Sequence, residues 1–228
     1  MCGRFTLRRP VKVNIQGLPT GELFAVGPRY NIAPSQNVVA VTERGEQRFL
    51  SFFQWGLIPS WSKEAAGFIN ARAETLAEKP SFSEAFEKRR CLIPADGFYE
   101  WKKSGKFRQP HFFQLKDESP FAFAGLWDEW RGPSGLITSC AIITTTANAL
   151  LESIHDRMPV ILRDEDQNSW LRSNAKPAEL RSLLAPFPAS EMKSFPVGLD
   201  ANHADVDEDH LVQPADVNVP VSRTLFDL

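Results

Sequence analysis

The chain has 228 residues, of which 43% are hydrophobic and 24% charged, and its formal net charge is −2. This composition excludes a disordered chain, a collagen-like repeat and a disulfide-rich miniprotein, and no apolar stretch approaches the roughly 18 residues of a transmembrane helix. The first ten residues lack the apolar segment of a secretory signal, and three cysteines without a Cys-x-x-Cys spacing favour free thiols. We therefore expect a cytoplasmic protein without a membrane partner.

Strand patterns dominate the middle of the chain. β-Branched and aromatic residues form short runs at 38–42, 48–54, 111–115, 121–126 and 139–145. The basic segment between Glu100 and His111, with Ser104-Gly105 near its centre, is typical of a β-hairpin.

Helical patterns are few and short. Ser81 and Glu84 have the spacing of a capping box in front of residues 83–89. Residues 147–154 show helical apolar spacing, and Pro177 suits the first turn of a helix that ends near Leu184. From residue 186 onward the pattern predicts irregular chain with one or two edge strands. Many short strands with short helices predict a single α+β domain with a curved, barrel-like antiparallel β core and short peripheral helices.

Charge is distributed unevenly along the chain. Residues 200–228 carry seven acidic residues and one basic residue, so the remainder of the chain is mildly basic. Such a body is compatible with a nucleic-acid surface, although a solvated basic face is the simpler alternative. The acidic segment 205–209 is expected to weaken any binding of DNA.

Common catalytic templates are absent from the sequence. It contains no P-loop, no dinucleotide-binding glycine motif after a strand, no H-E-x-x-H and no G-x-S-x-G. Its four histidines and three cysteines lack the spacing of zinc ligands. The sequence therefore predicts neither a metal nor a cofactor.

As an N-terminal residue, Cys2 would have a reactivity that an internal cysteine lacks. It follows Met1, and a small second residue generally permits removal of the initiator methionine. An N-terminal cysteine would hold an amine and a thiol with reference pKa values of about 8 and about 8.5. The amine forms a Schiff base with an aldehyde, and the thiol then closes a five-membered thiazolidine. The alternative is that Cys2 is an incidental second residue.

Three polar clusters lie within apolar segments. Asn70, Arg72 and Glu74 alternate and therefore share one face of an extended segment. Glu100 lies between two aromatic residues, and a carboxylate in an apolar pocket holds a raised pKa that suits proton transfer. His155 precedes the apolar run 159–162. Each of these residues, taken alone, is more often a structural hydrogen-bond partner.

Two tryptophans, Trp55 and Trp61, bracket a proline-containing loop that runs on to Lys63. Single-stranded nucleic acids bind by stacking on aromatic rings beside basic residues, whereas most tryptophans belong to the core. Both interpretations of this loop stay open from composition alone.

Six motifs together resemble the SOS-response-associated peptidase (SRAP) family, also called abasic-site processing proteins. They are CGRF at 2–5, RYNIAP at 29–34, WGLIPSW at 55–61, NARAET at 70–75, ADGFYEW at 95–101 and HDRMP at 155–159. They occur in family order and cover residues 1 to about 172. The resemblance predicts an SRAP domain over 1–214 and a C-terminal extension over 215–228. Residues 197–203 and the acidic segment after them depart from the family's usual closing strand and polar turn.

The resemblance implies a protein that binds single-stranded DNA and crosslinks covalently to abasic sites. It implies that Cys2 is the nucleophile, that Asn70 positions the N-terminus and that Glu100 handles the amine proton. It further implies that His155 is the acid/base acting on the sugar oxygen. The family name also implies autoproteolytic removal of the residue before the cysteine.

The resemblance also implies a DNA-binding surface. Arg72 and Arg157 are expected to face phosphates, with Arg4 and Trp61 as further DNA-binding residues. We expect a monomer that associates with the nucleoid when it is bound to DNA. Two other functions stay open. A non-covalent module for single-stranded or modified DNA would need Trp61 and the arginines alone, and a thiol peptidase would use Cys2 on other proteins.

Overall fold

The computed structural model describes residues 2–9, 27–45, 47–105 and 107–215. Met1, whose removal is expected from the sequence, lies outside these ranges, as does the predicted C-terminal extension apart from Ala215.

Thirteen strands and three α-helices are found in these ranges. The strands are β1 (Phe5–Leu7), β2 (Arg29–Ile32), β3 (Asn37–Arg44), β4 (Gln47–Trp55), β5 (Asn70–Arg72), β6 (Arg90–Ala95), β7 (Gly97–Ser104), β8 (Phe107–Leu115), β9 (Phe121–Gly132), β10 (Gly135–Thr146), β11 (Arg157–Pro159), β12 (Ile161–Leu162) and β13 (Met192–Pro196). The helices are α1 (Ser83–Lys88), α2 (Asp164–Leu171) and α3 (Pro177–Ser182).

Five of the strands close into a barrel. Strand β10 pairs with β4 on one side and with β9 on the other, and β4, β3, β6 and β9 pair in turn. All of these pairings are antiparallel except the one between β10 and β4. Because side chains alternate along a strand, one set, which includes Ile93, Phe123 and Ile142, forms one buried cluster. The intervening set, which includes Leu92 and Ile143, packs with residues of the helices in a second cluster.

A second sheet, in the order β13-β8-β7-β1-β2, packs against the barrel. The ring of Phe5 in β1 lies edge-on to Trp55, with the ring centroids 5.2 Å apart, and edge-on to Phe123 at 5.7 Å. These contacts fix β1, and with it the N-terminal residues, to the barrel. The predicted α+β fold with a curved, barrel-like core is confirmed.

The predicted strand segments all lie within strands of the structure. The predicted hairpin is also confirmed, because β7 and β8 pair through Ser104 and Phe107, and Gly105 between them has a φ of +60°. Such a φ suits glycine, which lacks a Cβ. The edge strand expected after residue 186 is β13, at the end of the second sheet.

Helix prediction is confirmed at Pro177, where α3 begins, and at residues 83–89, most of which form α1, whereas the capping box and the helix at 147–154 are wrong. The capping box fails because α1 begins at Ser83 with Phe82 as its N-cap and no side-chain cap. Phe82 is buried and its ring lies edge-on to Phe68 at 5.4 Å, so packing sets the start of the helix. Residues 147–154 form turns rather than a helix, since the side chain of Asn148 accepts the backbone N–H groups of two following residues.

The acidic segment near residue 207 folds back onto β2. The Asp207 carboxylate accepts hydrogen bonds from the Arg29 guanidinium and from the backbone N–H groups of Tyr30 and Asn31. One of the charges expected to oppose DNA is therefore paired with Arg29. Within the described ranges, no helix is long and apolar enough to cross a membrane.

Candidate functional site

Strand β1 positions Cys2 against the core. Phe5 pairs with Phe98 of β7, and the Tyr99 N–H donates to the Arg4 carbonyl at 3.0 Å, so the residues before β1 are tied to β7. The Cys2 side chain is fully buried, and its thiol lies 3.7 Å from the carbonyl oxygen of Arg4. The predicted nucleophile is thus enclosed by the fold.

Asn70 holds the main chain of Cys2. Its side-chain amide donates to the carbonyl oxygen of Cys2 at 2.8 Å. The segment before Asn70 is fixed in turn, because the indole N–H of Trp55 donates to the carbonyl of Ile69 at 2.9 Å. Trp55 is itself fully buried, so a core residue sets the position of the site residue.

Glu100 brings a negative charge near the thiol. It is only 2% exposed, and it lies on the same face of β7 as Phe98, which belongs to the buried cluster of Cys2. Burial raises the pKa of the Cys2 thiol well above its ordinary value, and the Glu100 carboxylate raises it further by opposing a second negative charge. The thiol is therefore protonated at neutral pH in this arrangement.

His155 lies just before β11 with two partners at one ring nitrogen. The backbone N–H of Arg157 points to Nδ1 at 3.0 Å, and a carboxylate oxygen of Asp156 lies 2.9 Å from the same atom. The amide donates to an unprotonated Nδ1, whereas the carboxylate accepts from a protonated one. The two contacts therefore belong to different tautomers of the ring.

The end of β10 joins these segments. Thr144 pairs with Arg72 of β5 on one edge and with Pro159 of β11 on the other. The structure thus brings Cys2, Asn70 and Glu100 together directly and links His155 to them through β10.

The four predicted DNA-binding residues differ in exposure. Arg72 is exposed, whereas Arg157 is mostly buried and donates to both carboxylate oxygens of Glu74, at 2.7 and 2.9 Å. Arg4 is partly buried, its Nη1 donates to the carbonyl of Gly3 at 2.9 Å, and burial lowers its pKa. Its buried Nε has no hydrogen-bond partner among the residues that the structure describes.

Trp61 stands apart from the core tryptophans. It is 62% exposed, and the chain on either side of it is anchored. The N–H of Ser60 donates to the Asp128 carboxylate at 2.9 Å, and the Trp130 indole donates to the carbonyl of Ser62 at 2.7 Å. An aromatic ring is thereby presented to solvent on a fixed loop, as stacking on a base requires.

Sequence reasoning missed the partner of Arg157. Alternation predicted Glu74 on the face of Arg72 in one extended segment, which is wrong, because β5 ends at Arg72 and residues 73–75 form a 3₁₀ turn. No local pattern connects Glu74 to a residue 83 positions away. In the described ranges, no group of three or more His, Cys, Asp or Glu side chains is arranged to hold a metal ion.

Comparison with known proteins identifies the family of the chain. Residues 1–204 match the family described as SOS response associated peptidase (SRAP). The chain belongs to this family. The SRAP resemblance drawn from the six motifs is therefore confirmed, since the matched residues contain all of them.

Similar SRAP proteins are known from other organisms. The chain is 48% identical over 209 residues to the abasic site processing protein YoqW of Bacillus subtilis, covering 86% of this chain and 92% of YoqW. It is 46% identical over 222 residues to YobE of the same organism, an abasic site processing protein, covering 92% of this chain and 100% of YobE. A crystal structure of a protein from Bacteroides thetaiotaomicron matches with a TM-score of 0.79 at 28% identity, over 94% of this chain and 100% of that one.

Proposed function

We propose that this SRAP protein processes abasic sites in single-stranded DNA by forming a covalent crosslink through Cys2. The observation that carries the proposal is the partly buried hydrogen bond from Asn70 to the Cys2 carbonyl, because it fixes the main chain of Cys2 while engaging neither its nitrogen nor its thiol. The names of YoqW and YobE, both abasic site processing proteins, support the choice of substrate.

The proposed chemistry requires a free α-amine on Cys2. In the encoded chain this nitrogen belongs to the peptide bond with Met1 and cannot form an imine. Once Met1 is removed, the amine adds to the C1′ aldehyde of the ring-opened deoxyribose and one water leaves. The S–H bond then adds across the C=N bond, so that a C–S bond forms and the thiol proton ends on nitrogen. The product is a thiazolidine, and one water is released overall.

Glu100 acts on the amine in this mechanism. Its carboxylate accepts the proton of the Cys2 ammonium group and so frees the amine to attack. The same transfer removes one negative and one positive charge from beside the thiol, and these two charges move the thiol pKa in opposite directions.

His155 acts on the sugar oxygen. The protonated ring donates from Nε2 to O4′ as the C1′–O4′ bond breaks, and the proton of the 1′-hydroxyl passes to water, so that C1′ becomes the aldehyde carbon. The proton that remains on Nδ1 faces the Asp156 carboxylate, 2.9 Å away, and Nε2 takes the proton back in the reverse reaction. This arrangement makes His155 the acid in ring opening and the base in ring closure.

The protein binds DNA at an abasic site without recognising a base, since the site has none. The exposed Trp61 ring stacks on a neighbouring base, and Arg4, Arg72 and Arg157 contact phosphates. We place this activity in the cytoplasm, with a monomer that joins the nucleoid when it binds DNA. We also propose that the protein removes Met1 itself, which is the peptidase activity recorded in the family's name.

The crosslink is tested with an abasic single-stranded oligonucleotide and the mature protein. Wild-type protein is expected to form an adduct that survives heating without borohydride, and Cys2→Ala is expected to form only an imine that borohydride must trap. Wild-type binding without a heat-stable adduct would favour the non-covalent module. Cleavage of an unrelated protein by the wild type, but not by Cys2→Ala, would favour the thiol peptidase.

Self-processing is tested separately with a short peptide extension placed before Cys2. Initiator methionine removal cannot release such an extension, so its loss must come from the protein. We expect intact mass to show release in the wild type and retention in Asn70→Ala. Retention in both proteins would contradict self-processing and leave the crosslinking proposal in place.

A further inference from the structure

The guanidinium of Arg157 is occupied in this structure by a carboxylate. Its two terminal nitrogens lie 2.7 and 2.9 Å from the two oxygens of Glu74, and one of them also lies 2.6 Å from the carbonyl oxygen of Thr144. This two-pronged geometry is the one in which arginine also binds a phosphate. Glu74 therefore holds the position that a DNA phosphate would take on Arg157.

The Glu74 carboxylate also interacts electrostatically with Arg72, the second arginine of this surface. Its pKa lies below the ordinary value, chiefly because of the hydrogen bonds from Arg157 and with a smaller contribution from the charge of Arg72. One carboxylate thus lies within the electrostatic reach of two arginines that the proposed function assigns to phosphates. Arg72 and Arg157 form a cationic subsite, and the negative charge of Glu74 partly cancels its positive charge.

The two partners differ in their freedom to move. The Arg157 side chain is only 12% exposed and is held by the Thr144 carbonyl, whereas the Glu74 side chain is 48% exposed. An incoming anion would therefore displace Glu74 toward solvent rather than move Arg157.

We propose that Glu74 is an internal competitor of DNA, which occupies the phosphate subsite formed by Arg72 and Arg157 and is displaced when a phosphodiester binds there. This inference rests on the proposed binding of single-stranded DNA. Asn70 and Arg72 lie two residues apart on one face of β5, so the subsite is about 7 Å along the strand from the residue that holds Cys2. Glu74 thereby limits the affinity for undamaged DNA beside the reactive site.

The test measures equilibrium binding of a fluorescent single-stranded oligonucleotide without an abasic site, so that no crosslink interferes. Wild type, Glu74→Gln, Arg157→Gln and the double variant are compared by anisotropy at salt concentrations from about 50 to about 200 mM. Glu78→Gln is the matched control, because it removes one exposed negative charge from the same segment. Wild-type crosslinking to abasic DNA is measured in parallel.

We expect Glu74→Gln to bind about five- to tenfold more tightly at low salt, because Arg157 becomes available to phosphate. Its plot of log affinity against log salt should be steeper by about 0.7, the value for one added contact to a single strand. Glu78→Gln should change affinity by less than about twofold, and the gain from Glu74→Gln should vanish when Arg157 is glutamine.

Three results would overturn the proposal. The first is a Glu74→Gln affinity and salt slope equal to those of the wild type, and the second is a gain that persists without Arg157. The third is weaker binding by folded Glu74→Gln, which would make Glu74 a residue that positions Arg157.

If Glu74→Gln does not fold, Glu74→Asp, whose shorter carboxylate withdraws from Arg157, must still bind more tightly. If the wild type crosslinks normally, any of these results refutes only the role of Glu74 and leaves the proposed function in place. If the wild type neither binds single-stranded DNA nor crosslinks to abasic sites, the proposed function is refuted as well.

Discussion

The side-chain amide of Asn70 donates a hydrogen bond of 2.8 Å to the carbonyl oxygen of Cys2. This contact fixes the main chain of Cys2 at its carbonyl group, which is not part of the peptide bond to Met1. The hydrogen bond involves neither the nitrogen nor the thiol of Cys2. The proposed thiazolidine closure uses both of these groups.

Loss of the Asn70 anchor should slow crosslinking. In Asn70→Ala prepared without Met1, the amine and thiol of Cys2 lose their fixed placement, and we expect about 10²-fold slower adduct formation on abasic single-stranded DNA. Asn70→Asp keeps the size of the side chain but cannot donate as a carboxylate, so it should be slow as well. Binding of intact DNA should hardly change. Wild-type crosslinking rates in both variants would show that the hydrogen bond is structural only.

Arg72 should contribute to every single-stranded complex, damaged or not. We expect Arg72→Glu to weaken binding with and without an abasic site and to flatten the salt dependence by about 0.7 for the lost phosphate contact. Lys116→Glu makes the same change of charge at an exposed position beyond the end of β8 and serves as the control. An unchanged salt slope in Arg72→Glu would remove Arg72 from the DNA-binding surface.

His155 should act in both directions of the reaction. His155→Ala is expected to form the crosslink about 10²-fold more slowly and to release it about 10²-fold more slowly, because one group serves ring opening and ring closure. The final yield should approach that of the wild type on long incubation. A time course of crosslinking, followed by release into excess competitor DNA, measures both rates. Wild-type rates in both directions would make His155 a structural hydrogen-bond partner.

Glu100 should have opposite effects on two reactions of Cys2. Burial raises the pKa of the thiol most and the Glu100 carboxylate raises it further, so Glu100→Gln lowers that pKa and increases the small thiolate fraction at neutral pH. Alkylation of Cys2 should therefore become faster, while crosslinking becomes slower because the acceptor for the amine proton is lost.

The alkylation rate is read by mass spectrometry, with buried Cys91 in the same chain as the reference. If alkylation and crosslinking fell together, the substitution would have disturbed the site as a whole rather than its charge.

The sequence predicted the parts of the fold that depend on local patterns. The β7–β8 hairpin follows from strand residues on either side of Ser104-Gly105, and α3 follows from Pro177. Closure of the barrel was beyond such patterns, because β10 pairs with β4 across about 85 positions of the chain (Ser139 with Gln54). The turns at 147–154 show a polar side chain, Asn148, overriding an apolar period.

The candidate site was predictable to a similar degree. The resemblance supplied Cys2, Asn70, Glu100 and His155, but only the structure shows that Asn70 holds a carbonyl and that Cys2 is enclosed. The ion pair between Glu74 and Arg157 joins two motifs that are far apart in the sequence and meet at the end of β10. Neither motif by itself predicts this ion pair.

In the proposed function, the mature N-terminal cysteine carries the DNA. Mass spectrometry of the adduct after heating, trypsin and nuclease treatment locates the attachment. We expect the modified peptide Cys2–Arg4 without Met1, heavier by the remaining abasic fragment and lighter by one water, without borohydride. An adduct on a lysine, or on a peptide that still carries Met1, would rule out attachment through the N-terminal cysteine.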